Sequence, residues 1–193
     1  MNVTVEINEP MSLTNPLLYF LLSPAAGGVL MRTDPALIKE IQTMMAPQGA
    51  SAPKCINIPR NQRTNRNPLW QYTCDGSAAN VWKLQNWTPQ QAAQPFWYQV
   101  ADGSGKCWDL ANGQTVGGTI VQLYDCIGNG WPAQGWTFVP VPGMPQGHYT
   151  IRPYNSYNMC VNVYGGSSQD QAGIIIWPCD GSQNEIFYVN YSN

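Results

Sequence analysis

The chain has 193 residues, enough for one ordinary domain with an extension and too few for two large independent cores. Only 10% of residues are charged and the net charge is −2, which excludes the clustered basic face that a nucleic-acid backbone requires. Gly, Pro, Asn, Gln, Ser, Tyr and Trp are abundant, an inventory of strands and turns with a neutral polar surface.

Taken in chain order, the first patterned segment is "NVTVEI", in which Val3, Val5 and Ile7 alternate with Thr4 and Glu6 as in a half-buried strand. The apolar run "PLLYFLLSPAAGG" comes next. Glu6 and Glu9 precede it without any Lys or Arg, unlike a secretory leader, and Pro24 with two glycines breaks it too early for a membrane span. "TDPALIKEIQTMM" then predicts a short amphipathic helix. Asp34 suits the N-cap and Pro35 the first turn, and Leu37, Ile38, Ile41, Met44 and Met45 share one face, packed on the main domain. "MAPQGASAPKC" reads as a linker. These features define an N-terminal extension over residues 1–53, and part of it is expected to fold back and complete the domain that follows.

Residues 54–193 carry six cysteines, Cys55, Cys74, Cys107, Cys126, Cys160 and Cys179. Six cysteines allow 15 pairings, but taken in consecutive pairs the two members of each are separated by the same 19 positions. That interval predicts three local disulfides, Cys55–Cys74, Cys107–Cys126 and Cys160–Cys179, each contributing roughly 3 kcal/mol. Such bonds persist in an oxidising compartment, which points to a secreted, periplasmic or particle-surface protein. No C-x-x-C pair occurs and His148 is the single histidine, so a zinc site competes poorly. Arg60, Arg63 and Arg66 form a short basic cluster that reads as a solvated loop.

Aligned on their first cysteines, "KCINIPRNQRTNRNPLWQYTCDGSAANVWKL", "KCWDLANGQTVGGTIVQLYDCIGNGWPAQGWTF" and "MCVNVYGGSSQDQAGIIIWPCDGSQNEIFYV" are three copies of one unit. Each has a strand at its first cysteine (Ile56–Ile58, Trp108–Leu110, Val161–Val163), one ending at its second, and one at Trp82, Trp136 or Phe187. A preceding strand is visible in "PFWYQVADGSGKC" and "GHYTIRPYNSYNMC" but missing before the first copy, a place assigned to the strand around Val3, Val5 and Ile7. Four strands taken three times predict an all-β fold of about twelve short strands, closed without open edges.

These copies resemble the repeats of R-type lectins, the ricin B-chain-like β-trefoil family. The family closes each repeat with Gln-x-Trp. Here the step stands as Gln134-Gly135-Trp136 in the second copy, Asn80-Val81-Trp82 in the first and Glu185-Ile186-Phe187 in the third. The resemblance makes these residues architectural, with the aromatic in the shared core and the polar side chain satisfying backbone groups. It also implies a sugar clamp in each repeat: an acid two positions after the first cysteine, an aromatic two before the second, and an Asn before the closing motif. The chemistry suits a pyranose, whose stripped hydroxyls need partners and whose C–H face suits a ring.

Carried onto this chain, the clamp of the second copy is Asp109 and Tyr124, with Gln122 beside them. Ala133 replaces its rim Asn, and Asn129 in the longer loop is a substitute. The third copy offers Trp177 and Asn184, but Asn162 stands for the acid. The first, with Asn57, Tyr72 and Ala79, reads as silent. The resemblance thus implies a lectin for galactose or N-acetylgalactosamine-type glycans. Membrane contact would come only through glycoconjugates, and no metal or cofactor is called for. An enzyme is disfavoured, because no nucleophile, base and orienter can be assembled, and Asp102, Asp109, Asp125, Asp170 and Asp180 read as recurrent turn residues. The alternative is a non-catalytic subunit of an extracellular or toxin assembly with degenerate sugar sites, docked to a protein partner through residues 1–53. Sequons at Asn2, Asn86 and Asn190 fit a secreted protein.

Overall fold

The structure is a computed structural model, and it describes residues 36–46, 49–87, 97–128 and 130–191. Each repeat contributes a lead strand, a hairpin and a closing strand. The first uses β1 (Ala36–Thr43), β2 (Lys54–Asn57), β4 (Trp70–Thr73) and β5 (Trp82–Asn86), with a two-residue piece β3 (Asn67–Pro68) in its hairpin loop. The second uses β6 (Tyr98–Ala101), β7 (Lys106–Leu110), β8 (Val121–Asp125) and β9 (Trp136–Pro140). The third uses β10 (His148–Pro153), β11 (Met159–Val163), β12 (Ile174–Pro178) and β13 (Phe187–Tyr191).

Lead and closing strands pair in the cycle β1–β5–β6–β9–β10–β13 and back to β1, a six-stranded barrel with no open edge. The hairpins β2–β4, β7–β8 and β11–β12 cap one end. Each cap leans on the next through main-chain bonds such as Leu69 N–H to Val121 O, Ile176 N–H to Thr119 O and Ile174 N–H to Leu69 O. This is a β-trefoil, and among the described residues the only helical turns are three-residue 3-10 segments.

Within the segment predicted as a helix, Ala36–Thr43 is instead strand β1. Its hydrogen bonds run to β13, β5 and β2, and it supplies the lead strand that the first repeat lacks in sequence. The error has a physical source. Register shifts between Ile38 and Glu40, so Ile38 and Ile41, three apart as on a helix face, both turn into the core while Leu37 stays exposed. The segment around Val3, Val5 and Ile7, and the apolar run after it, lie outside the described residues.

Trp82, Trp136 and Phe187 open the three closing strands and are fully buried. Trp108 stands between the first two, its ring 5.2 Å from Trp82 and 6.0 Å from Trp136, both edge to face. The indoles of Trp82 and Trp136 donate to the carbonyls of Ile56 and Trp108, which answers the polar end of each ring. Truncating any of these rings to alanine costs about 3–5 kcal/mol. Disulfides join Cys55 to Cys74, Cys107 to Cys126 and Cys160 to Cys179, each closing the base of one cap hairpin.

Candidate functional site

In the second repeat, Asp109 on β7 pairs directly with Gln122 on β8, so their side chains leave the same face of the hairpin. Tyr124, two residues along β8, shares that face by strand alternation. Together with Arg66, Asn112, Gly113, Ile127 and Trp131 they line an open cleft of about 280 Å³. That is near the lower bound for ligand pockets, roughly 300 Å³, and gives room for one compact polar ring rather than a long apolar molecule.

Asp109 forms the buried part of this cleft, only 5% exposed. Gln122 Nε2 donates to its Oδ1 at 3.1 Å and Gln134 Nε2 to its Oδ2 at 3.3 Å. Burial pushes the Asp109 carboxyl above its ordinary value, opposed by hydrogen bonds from Gln122, Gln134 and Trp131. A carboxylate has about four acceptor positions, so the two amides and the indole leave capacity for a ligand donor. Gln134 is itself fixed. Its Oε1 accepts from Ile127 N–H and Gln99 Nε2, both at 3.0 Å, while its Nε2 also reaches Asp125 O at 2.8 Å. Trp131, 44% exposed, and half-buried Tyr124 are the aromatic residues that line the cleft.

The third repeat lacks the acid. Asn162, almost fully buried, accepts from Asn184 Nδ2 at 2.9 Å, and the same amide reaches Val163 O at 3.2 Å. Trp177 is 48% exposed, and one edge of its ring lies against Gly117 of the second repeat, where an added Cβ would approach within 3.1 Å. Ile175 occupies the place of Gln122. Glu185 replaces the motif glutamine and accepts the backbone N–H of Gly181 at 2.7 Å and of Asp180 at 3.2 Å.

The first repeat is closed from within. Trp70, at the Gln122 position, donates its indole N–H to Asn57 Oδ1 at 2.8 Å, and Asn57 Nδ2 donates to Asn80 at 2.7 Å. Trp70 and Tyr72 stack on each other, centroids 5.9 Å apart. The two rings and the buried amides satisfy one another and leave little for a ligand.

Residues 48–124 and 85–177 match the family described as ricin-type beta-trefoil lectin domain-like. The chain belongs to that family. No curated protein matches this lectin-like domain by sequence. Among solved structures it is similar to ThreeFoil, a designed three-fold symmetric protein, at 20% identity and a TM-score of 0.64, covering 80% of this chain and 97% of that one. The exo-beta-1,3-galactanase 1,3Gal43A of Clostridium thermocellum aligns at 18% identity and a TM-score of 0.66, over 83% of this chain and only 31% of the enzyme. The C-half of an earthworm R-type lectin, in complex with GalNAc, aligns at 12% identity and a TM-score of 0.51, over 81% and 99% of the two chains. At such identities the likeness is one of fold.

Within this ricin-type domain the structure brings Asp109, Gln122 and Tyr124 together at one cleft, and Asn162 and Asn184 into contact at another place, with Trp177 exposed on the hairpin of the same repeat. Asn129 lies outside the described residues, and Ala133, at the lost rim position, is buried. The basic cluster departs from its reading as a uniform solvated loop. Arg63 pairs with buried Asp102 at 3.0 Å and Arg60 stays on the surface, whereas Arg66 lines the cleft. Arg66, Asn112, Gly113, Ile127 and Trp131 are the cleft residues that the sequence did not assign to the site. Trp131 carried a signal, since the second copy has the longer loop after its cysteine.

Proposed function

We propose that the chain is a lectin whose leading site is the second-repeat cleft, and that this site holds a galactose or N-acetylgalactosamine residue. Asp109 accepts hydrogen bonds from two neighbouring hydroxyls, and its charge makes these the stronger kind. Gln122 and Gln134 hold the carboxylate in place, and Tyr124 offers its face to the apolar C–H side of the sugar, with Trp131 as the opposite wall. Asn162, Trp177 and Asn184 form a weaker second site, in which a neutral amide takes the place of the acid. The first repeat is silent because Trp70 already answers Asn57.

The observation that carries this reading is a buried carboxylate, steadied by two amides, at the floor of a cleft walled by aromatic rings. Membership of a lectin-like family supports it, as does the fold shared with a GalNAc-bound lectin. Asp109 is the one carboxylate among the described lining residues, whereas glycoside hydrolysis requires a pair, so the reading is of a binding module. The three disulfides fit an extracellular or other oxidising setting. Single sites of this size bind at about millimolar strength, near −4 kcal/mol, so useful avidity comes from several sites acting together. Retention on immobilised galactose tests the proposal: Asp109→Ala should pass through unretained with its fold intact, and equal retention of variant and wild type refutes the assignment.

A further inference from the structure

Arg66 occupies a position that recurs in all three repeats, eleven residues after the first cysteine, with Gly118 and Gln171 as its counterparts. At each of them the backbone has positive φ, 66°, 89° and 69°, and the N–H crosses to the hairpin of the neighbouring repeat. Arg66 N–H donates to Leu123 O, Gly118 N–H to Ile176 O and Gln171 N–H to Gln71 O, each at 2.8 Å. The second repeat fills this left-handed position with glycine, the residue that suits it. The first repeat instead places an arginine there, and through the β3–β8 pairing holds it beside Gln122 and Tyr124.

The guanidinium of Arg66 has no hydrogen bond or ion pair among the described residues. The nearby acid Asp125 is already engaged, by Lys106 Nζ at 2.5 Å and by Asn65 Nδ2 at 2.7 Å. An exposed, unpaired cation therefore stands on the rim of a cleft whose buried part is the carboxylate of Asp109. Without it, Asp109 would repel any anionic ligand. With it, the cleft presents an acceptor for hydroxyls and, apart from that acceptor, a fork of donors for an oxyanion.

We infer that the cleft selects a galactose-type residue carrying an anionic group, a sulfate or a carboxylate, away from the hydroxyl pair that Asp109 takes, with Arg66 as the specificity-determining residue. The inference rests on the proposed galactoside site and narrows its ligand class. Arg66 sits in a repeat whose own site is closed, so the silent copy serves the live one.

Calorimetric titration of the full chain with methyl β-galactoside, its 6-sulfate and methyl galacturonide tests this, with sulfate and carboxylate as separate arms. Wild type should bind at least one anionic sugar roughly fivefold more tightly than the neutral one, and the difference should shrink in high salt. Arg66→Gln and Arg66→Gly should abolish the preference, so that the anionic sugars bind each variant no more tightly than the neutral one does. The glycine variant should also melt at a higher temperature, because the left-handed backbone is relieved. Equal affinity of wild type for all three sugars overturns the inference while leaving the galactoside site standing, as does a preference that persists in both variants. Failure of wild type to bind any of the three overturns the site and the inference together.

Discussion

Gln134 Nε2 lies 3.3 Å from Oδ2 of Asp109, so the amide that closes the second repeat also touches the acid of its cleft. The third repeat reverses the pair: the closing position is the acid Glu185 and the cleft position is the neutral Asn162. The first has Asn80 and Asn57, hydrogen-bonded to each other. No copy carries acids at both positions, as expected where two buried carboxylates would share one site.

This relation predicts the outcome of repairing the third repeat. Asn162→Asp alone should gain no galactoside affinity, because its charge would face Glu185, and it should lower the melting temperature. Asn162→Asp combined with Glu185→Gln reproduces the pair of the second repeat. It should strengthen binding at Trp177, read in an NMR titration as third-repeat shifts that saturate at lower sugar concentration than in wild type. Equal binding by the single and double variants would contradict the coupling.

The raised pKa of Asp109 gives a signed dependence on pH. A carboxyl held above its ordinary value favours folding while protonated, and that contribution is lost as pH rises from the ordinary carboxylate range through the raised value. Relative to Asp109→Asn, wild type should therefore lose stability as pH rises to neutrality, and the difference should level off once both states are ionised. Sugar binding should run the opposite way, weakening as pH falls through the same window, because a protonated Asp109 loses its charge. Thermal melts and galactose retention across pH 3–8 check both slopes; the interval is chosen to span roughly the carboxylate range.

The triplication and the disulfides were legible because cysteines at a fixed interval mark the hairpin caps directly, and the closing aromatics mark the barrel strands. Asp109, Gln122 and Tyr124 were legible because all three lie on one hairpin, within a single repeat. Arg66 was not, since it enters the cleft from the preceding repeat, and the role of such a residue depends on how the caps lean on one another. The strand β1 was hidden for a different reason. The shift at Ile38 and Glu40 gives it the three-residue spacing of a helix, and only the vacancy in the first repeat distinguishes the two.

The strand assignment of this segment predicts unequal costs for neighbouring apolar residues. Ile41 is fully buried against the core, so Ile41→Ala should cost about 2–5 kcal/mol. Leu37 is 42% exposed and should cost within about 0.5–1 kcal/mol when truncated. An amphipathic helix with both on its buried face would penalise them alike, and urea denaturation of the two variants distinguishes the arrangements.

Gly135, the middle residue of the best-preserved closing motif, is held to glycine by contact rather than by its backbone angles. A Cβ there would stand 2.8 Å from the ring of Trp87 and 2.9 Å from Tyr154 Cβ, and Trp87 is almost fully buried with its ring packed edge to face on Tyr154. Neither neighbour can withdraw without opening that cluster, so Gly135→Ala should destabilise by about 1–3 kcal/mol. Gly173 provides the control, because an added Cβ there meets nothing within 4 Å and Gly173→Ala should be neutral or slightly stabilising. The counterparts of Gly135 in the other two motifs are Val81 and Ile186, which locates the demand for glycine in the aromatic cluster of Trp87 and Tyr154 rather than in the motif itself. Trp87→Leu should accordingly lower the cost of Gly135→Ala, measured as a coupling in a double-mutant cycle.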